Sequence, residues 1–276
     1  MMTVPLVSIL LPVYNGEKFV AATIRSLLDQ DYPNFELLVC DDASVDRSAE
    51  IVQSFKDPRL RFWHNETNQG ISSTRNFLMR EAKGKYLAVS DHDDISLPQR
   101  LSEEVAFLEE NPQITAVGCW GELFCREAYD GCFGRIMQLI TNLGWVWCQP
   151  PFPDLREALR GCPVMHSSSL LRKADLERCG ISYHAEMTPC EDYDLFCRIL
   201  EHGLKLANLQ QVLFRYHRHG GNFSIRDSKR GKASVLKIKD RLKGRLGIKK
   251  PGYYPYFLVM LQKLRLKPFV KGTRHV

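Results

Sequence analysis

Three carboxylates, Asp91, Asp93 and Asp94, occupy four consecutive positions in "YLAVSDHDDISLPQRL", directly behind an apolar run. Charges this close repel, so something must offset them. Hard carboxylate oxygens suit Mg2+ or Mn2+, and such an ion keeps coordination positions for substrate phosphates. An EF-hand calcium loop is excluded. With Asp91 at its first position, the fifth, sixth and twelfth positions would be Ile95, Ser96 and Ser102. The bland account is a cap on the helix that "PQRL" begins, favoured by the helix dipole. That account suits Asp94 and leaves Asp91 and Asp93 unexplained.

Two later stretches carry further reactive groups. In "CEDYDLF", Glu191 and Asp192 open a helix. They fit either an N-terminal cap or a general base that takes a proton from a hydroxyl nucleophile. In "FRYHRHGGNFS", Arg215, His217, Arg218 and His219 follow a strand. Four basic groups facing an acidic metal-phosphate site would supply an imidazole ligand or a pyrophosphate clamp.

The elements that must position these groups follow from periodicity. "LVSILLPV" reads as a buried strand, and "EKFVAATIRSLLDQ" as a helix with Phe19, Val20, Ile24, Leu27 and Leu28 at helical spacing. The alternation continues with strand "ELLVC", helix "RSAEIVQSF", strand "RLRFWH", helix "SSTRNFLMREA", strand "KYLAVS", helix "PQRLSEEVAFLEEN" and strand "ITAVG". Such alternation predicts a mainly parallel sheet with helices on both faces. Residues 119–165 read as loop-rich cover over a cleft. Beyond them a strand and helix resume, "EDYDLFCRILEHG" is an amphipathic helix and "QVLFRYH" a last strand.

In an open parallel sheet, ligands bind outside the carboxyl ends of the strands. Polar groups collect at four successive ends: Tyr14 and Asn15, then Asp41 and Asp42, then Asn65 and Asn68, then Asp91, Asp93 and Asp94. The "DD" at 41–42 alone would suit a solvated turn or a helix cap equally well. Neither a dinucleotide G-x-G-x-x-G after the first strand nor a G-x-x-x-x-G-K-[ST] phosphate loop is present, so phosphates need another cradle.

With 276 residues and 44% hydrophobic content, the chain can bury a full core. No apolar run reaches the roughly 18 residues that cross a bilayer. Nine cysteines without a C-x-x-C pair predict reduced thiols. Together these predict a cytoplasmic chain. The net charge of +6 conceals an asymmetry. Residues 226–276 hold sixteen Lys or Arg and two acids, and the first 225 hold 22 basic and 30 acidic residues.

At these motifs the chain closely resembles the family 2 glycosyltransferases, which have the GT-A fold. "VSILLPVYNGEKFVAATIRSLLDQDYPNFELLVCDDASVD" is similar to their nucleotide-binding opening, "NQGISSTRNFLMREAKGKYLAVSDHDD" to the segment ending in their D-x-D motif, and "EDYDLFCRI" to their base motif. The resemblance covers about residues 5–224. It implies an inverting transferase that uses a nucleoside-diphosphate sugar, a UDP-sugar in the first place, with Mn2+ or Mg2+ and a glycan or lipid-linked hydroxyl acceptor. Carried onto this chain, it places Pro12, Tyr14, Asn15, Asp42, Arg75 and Asp91 at the nucleotide. Asp93, Asp91 and His219 fall at the metal, Arg218 and His217 at the diphosphate, and Asp192 with Glu191 at the base. The family often has a small residue where His92 stands, and often ends in a transmembrane or aromatic acceptor segment where this chain has a basic tail.

The expected division is a catalytic domain over 1–225, with a nucleotide-binding half at about 1–118 and an acceptor half at about 119–225, and a basic amphipathic helical tail over 226–276. That tail alternates Leu and Ile with Lys and Arg, and Tyr253, Tyr254, Tyr256 and Phe257 sit beside a short apolar run. One reading packs it as a solvated basic helix on the acidic catalytic domain. The other docks it on an anionic membrane surface, on the inner face of the membrane, at a site of cell-surface polysaccharide assembly. A nucleotidyltransferase would need a phosphate loop that "PVYNGEKF" does not provide. A non-catalytic sugar-nucleotide binder would not need both acidic motifs, and no nucleic acid is expected as a partner, although a basic tail could track phosphates.

Overall fold

The computed structural model describes residues 4–124, 145–219, 228–248 and 266–268. β1 (Val7–Val13), β2 (Phe35–Asp41), β3 (Leu60–His64) and β4 (Tyr86–Val89) alternate with α1 (Val20–Leu28), α2 (Ser48–Ser54) and α3 (Ile71–Glu81). The short β5 (Ile95–Ser96), α4 (Arg100–Glu110) and the long β6 (Ile114–Phe124) follow. Then come β7 (Trp145–Trp147), α5 (Leu155–Ala158), β8 (Leu170–Arg172), α6 (Lys173–Arg178), α7 (Glu191–Glu201), β9 (Lys205–His217), α8 (Ser228–Arg245) and β10 (Leu266–Pro268).

One sheet runs in the order β10-β7-β6-β8-β4-β1-β2-β3, with β9 beside β6 and β5. The β4-β1-β2-β3 half is parallel, as the alternation predicts. The other half is mixed, since β8 runs antiparallel to both β4 and β6 while β9 runs parallel to β6. Period-two alternation explains why the first half needs cover on both faces. Val7, Ile9, Leu11 and Val13 join the core under α1, α2 and α4, and Leu10 joins the core under α3, α6 and α7.

Pairing of β1 with β4 ends at Leu10 and Val89, so Pro12 lies past the last pair. Its missing N–H costs no bond to β4 there. The sheet opens at this point, and the opening is the crevice.

The sequence reading of 119–165 as loop-rich cover is corrected in part. β6 runs to Phe124 because β9 pairs with it along its whole length, with register shifts near Cys119 and Trp120. Residues 125–144 lie outside the described residues. No disulfide links any of the seven described cysteines. Among the described residues no helix is long and apolar enough to cross a membrane.

The basic tail is helical over Ser228–Arg245, but this part is not a separable appendage. Ile238 and Leu242 on α8 are fully buried against Tyr193 and Cys197 of α7 and Ala158 of α5. Arg241 pairs with Asp194 at 2.7 Å and with Glu201 at 2.9 Å. The packed-helix reading therefore holds for this segment. The aromatic group at 253–257 lies outside the described residues. Leu242→Ala should cost about 2–5 kcal/mol of stability, read from denaturant unfolding, because the truncation leaves a cavity in this buried cluster.

Candidate functional site

The crevice is walled by loops that bind one another before any ligand arrives. Asn15, at φ +49°, accepts a bond from Val45 N–H through Oδ1, and its own N–H donates to Ser44 Oγ. Gly16 N–H donates to Ser48 Oγ at 2.7 Å. A Cβ on Gly16 would fall 2.4 Å from the His92 ring, so the unusual His92 is accommodated by a glycine across the crevice. Tyr14 is 45% exposed at the rim.

Asp42 is buried, and its carboxylate accepts from Asn65 Nδ2, Gln69 N–H and Gly70 N–H, all within 2.9 Å. It thereby folds the turn that launches α3, a duty the sequence reading did not give it. Asp41 does the same for its own loop, bonding Ser44 and His64.

The three clustered acids go three separate ways. Asp91 Oδ1 meets Arg75 Nη2 at 2.5 Å. Asp93 Oδ2 meets His219 Nε2 at 2.9 Å. Asp94 is buried, accepts from Ser167 Oγ and from the His217 backbone N–H, and is pushed well above the usual carboxylate range by burial and by Asp93 and Asp91. The expected cap on the helix after "DHDD" is thus a correction: Asp94 ties the loop to the end of β9 instead. Burial opposes ionisation of Asp93 too, but the His219 bond and the charges of His92 and His219 hold it below its ordinary range. Thr23 of α1 pins the loop by donating to the His92 and Asp94 carbonyls.

Arg75, read from sequence as a nucleotide contact, is buried between two acids. Its Nη1 meets Glu191 Oε1 at 2.9 Å. Of the two acids expected at the base, Glu191 is thus engaged by Arg75. Asp192 stands at the start of α7, where its Oδ1 accepts the Tyr193 N–H, and burial together with Glu191 pushes its carboxyl up to about 7. A carboxylate with that affinity is matched to proton transfer near neutral pH.

The basic stretch divides. His219 faces Asp93 as expected. The His217 ring is stacked at 4.6 Å on Phe124 and set edge-on to Phe19 at 4.8 Å, and the residue is 1% exposed. Its ring centre also lies 5.0 Å from that of His219. Arg215 is turned onto Glu122 at 2.8 Å. Arg218 is half-buried next to His219 in the chain.

Asp91, Asp93 and His219 are not gathered into one cluster, and among the described residues no three acidic, His or Cys side chains converge as a metal site. The donor chemistry still fits a divalent ion. Mg2+ or Mn2+ is commonly held by one or two carboxylates with the remaining positions filled by substrate phosphates and water. Asp93, held ionised, and the second oxygen of Asp91 offer that set.

Sequence reasoning missed the layer behind the site. His166 Nε2 meets Tyr183 OH at 2.7 Å, and burial drives its imidazole down to about 3, so it stays neutral. The only sequence signal was a polar "HSSS" inserted in an apolar context.

The family model described as Glycosyl transferase family 2 matches residues 8–130. EpsE of Bacillus subtilis (strain 168), named as a glycosyltransferase, is 31% identical over 227 residues, covering 80% of this chain and 76% of its own. WfaP of Escherichia coli, named as a UDP-Glc:alpha-D-GlcNAc-diphosphoundecaprenol beta-1,3-glucosyltransferase, is 29% identical over 219 residues, covering 79% and 80%. Among solved structures, the mannosyltransferase PcManGT of Pyrobaculum calidifontis, in complex with GDP-Man and Mn2+, superposes with a TM-score of 0.65 at 17% identity, over 96% of this chain and 70% of that one.

Proposed function

This chain belongs to glycosyl transferase family 2, and from that premise we propose that it moves a sugar from a UDP-sugar to a hydroxyl of a glycan or lipid-linked acceptor, with inversion, in cell-surface polysaccharide synthesis. The observation that carries this reading is Asp192: a carboxyl at a helix start, raised to about 7, behind a crevice whose far wall bears Asp91 and Asp93. The name of WfaP supports a UDP-linked donor and a diphosphoundecaprenol acceptor, and the PcManGT complex supports a divalent ion.

Asp192 takes the acceptor hydroxyl proton as that oxygen attacks the anomeric carbon. The carbon–oxygen bond to the diphosphate breaks on the opposite face, so one displacement inverts the centre. Pro12, Tyr14, Asn15, Asp42 and Asp91 line the nucleotide end. Asp93 and Asp91, with His219 alongside, would hold Mn2+ or Mg2+, which when bound supplies charge neutralisation of the leaving diphosphate. Arg218 adds a fixed positive charge at that end.

A screen of nucleoside-diphosphate sugars for hydrolysis with Mn2+ present tests the reading. UDP release from at least one UDP-sugar is expected, and the absence of turnover together with absence of UDP binding would overturn it.

A membrane surface is the second proposed partner. On α8, Arg230 and Lys237 are exposed and Leu236 is 60% exposed, opposite the face packed on α7. Each Lys or Arg near an anionic surface contributes about 1 kcal/mol. Binding to vesicles rich in phosphatidylglycerol at low salt, reversed by high salt and weakened by Lys237→Glu, is expected; equal binding to neutral vesicles would refute it.

A further inference from the structure

α3 presents Ser72, Arg75 and Asn76 on one face, spaced three and four residues apart. All three grip the segment that leads into α7. Ser72 Oγ and Thr188 Oγ1 are 3.0 Å apart. Asn76 clamps Tyr183 from both sides, donating to its carbonyl and accepting its N–H, each at 2.8 Å. Arg75 holds Glu191, the first residue of α7, and with its other arm holds Asp91. Its guanidinium lies 5.5 Å from the Tyr183 ring centre, and His166 holds that ring by the hydroxyl.

A buried guanidinium is costly unless both its charge and its N–H groups are matched. Here it is matched to one acid on each side of the crevice, although Arg75 Nε and Glu191 Oε2 are buried without a hydrogen-bond partner. Two ordinary structural pairs would not need a shared cation. A single planar fork bridging Asp91 and Glu191 fixes the separation of the two walls, because its N–H directions are rigid where a lysine's are not.

We propose that Arg75 is a positioning residue that sets the start of α7, and so the Asp192 carboxylate, relative to the donor-side Asp91, with Glu191 as its anchor. Asp192 directly follows Glu191. A displacement of about 1 Å in a reacting group costs on the order of a hundredfold in rate. Glu191 therefore acts through Arg75 and touches no substrate. The inference rests on the proposed transfer chemistry and adds the residues that align it.

The test uses the full chain and three variants: Glu191→Gln, Arg75→Lys and the double Arg75→Lys/Glu191→Gln. Binding of UDP in the presence of Mn2+ is measured by calorimetry. The kcat is measured for hydrolysis of whichever of UDP-glucose, UDP-galactose, UDP-GlcNAc or UDP-GalNAc the wild type turns over fastest. Glu191→Gln should lose about tenfold or more in kcat with its UDP dissociation constant within about threefold of wild type. Arg75→Lys, which keeps the charge and loses the bridge, should lose at least as much, and the double variant should be no worse than the poorer single.

Multiplicative losses in the double variant would overturn the inference. So would an unchanged kcat in Glu191→Gln, or a loss that disappears when kcat is expressed per folded molecule. Glu191→Asp, which keeps the charge and shortens the arm, gives the same reading if Glu191→Gln does not fold. Wild-type protein that neither binds UDP nor turns over a UDP-sugar overturns the proposed function and this inference together. Wild-type turnover with an intact Glu191→Gln kcat overturns this inference alone.

Discussion

Asp192→Asn binds UDP in the presence of Mn2+ as wild type does and turns the donor over about a hundredfold or more slowly, the loss expected when a positioned base is removed. The amide keeps an oxygen for the Tyr193 N–H, so the helix start survives. In the wild type, kcat should rise with pH through about 7 and level above it, since the base works deprotonated. The residual rate of the variant should lack that step.

Stability should move the opposite way. The folded carboxyl titrates near 7 against an ordinary value of 3.8, so the folded state holds its proton more tightly than the unfolded chain. The fold is unpenalised below 3.8, loses stability as pH rises toward 7 and stays reduced above. Asparagine has no proton to lose. The variant should therefore melt higher than wild type at pH 8, with the difference closing near pH 4. A variant that is less stable at pH 8 and normally active would reduce Asp192 to a cap.

Asp93→Ala should lose Mn2+-dependent UDP binding and fall to background turnover, matching wild type in excess EDTA. Asp93 is the acid that the site keeps ionised against its own burial, through His219 at 2.9 Å. Asp91 has one oxygen on Arg75 and only its second for an ion, and Asp94 is bound to Ser167 and the chain at His217, so neither can replace Asp93. Strong turnover by Asp93→Ala, or by wild type in EDTA, would remove the metal from the mechanism.

The strand ends were legible in the sequence because each lies where an apolar run stops, and local periodicity marks that point without knowledge of the fold. The placement of Asp91 and Asp93 just past β4 follows from those ends. What each acid faces did not follow. Arg75 meets Glu191 across 116 positions of sequence, and no local pattern records such a pair. His217 and His219 look equivalent in "RYHRHGG", yet two residues along a chain leaving a strand turn one ring between Phe19 and Phe124 and the other toward Asp93. Alternation of Leu and Ile with Lys and Arg correctly marked an amphipathic helix over part of the tail. It could not say that the apolar side was already occupied, because the cover comes from Tyr193 and Cys197, more than thirty positions earlier.

The helix laid over α7 sets an order of events during synthesis. When a ribosome has made everything through β9, Asp91, Asp93 and Asp192 have all been translated, but Tyr193 and Cys197 still lack the side chains that cover them, and Asp194 lacks Arg241. A nascent chain at that stage exposes apolar surface beside Asp192 and is open to chaperones and proteases. A message cut by a nonsense codon between β9 and Arg241 would yield a protein that keeps the acids of the crevice but leaves α7 without this cover, so such a truncation should behave as a loss of function.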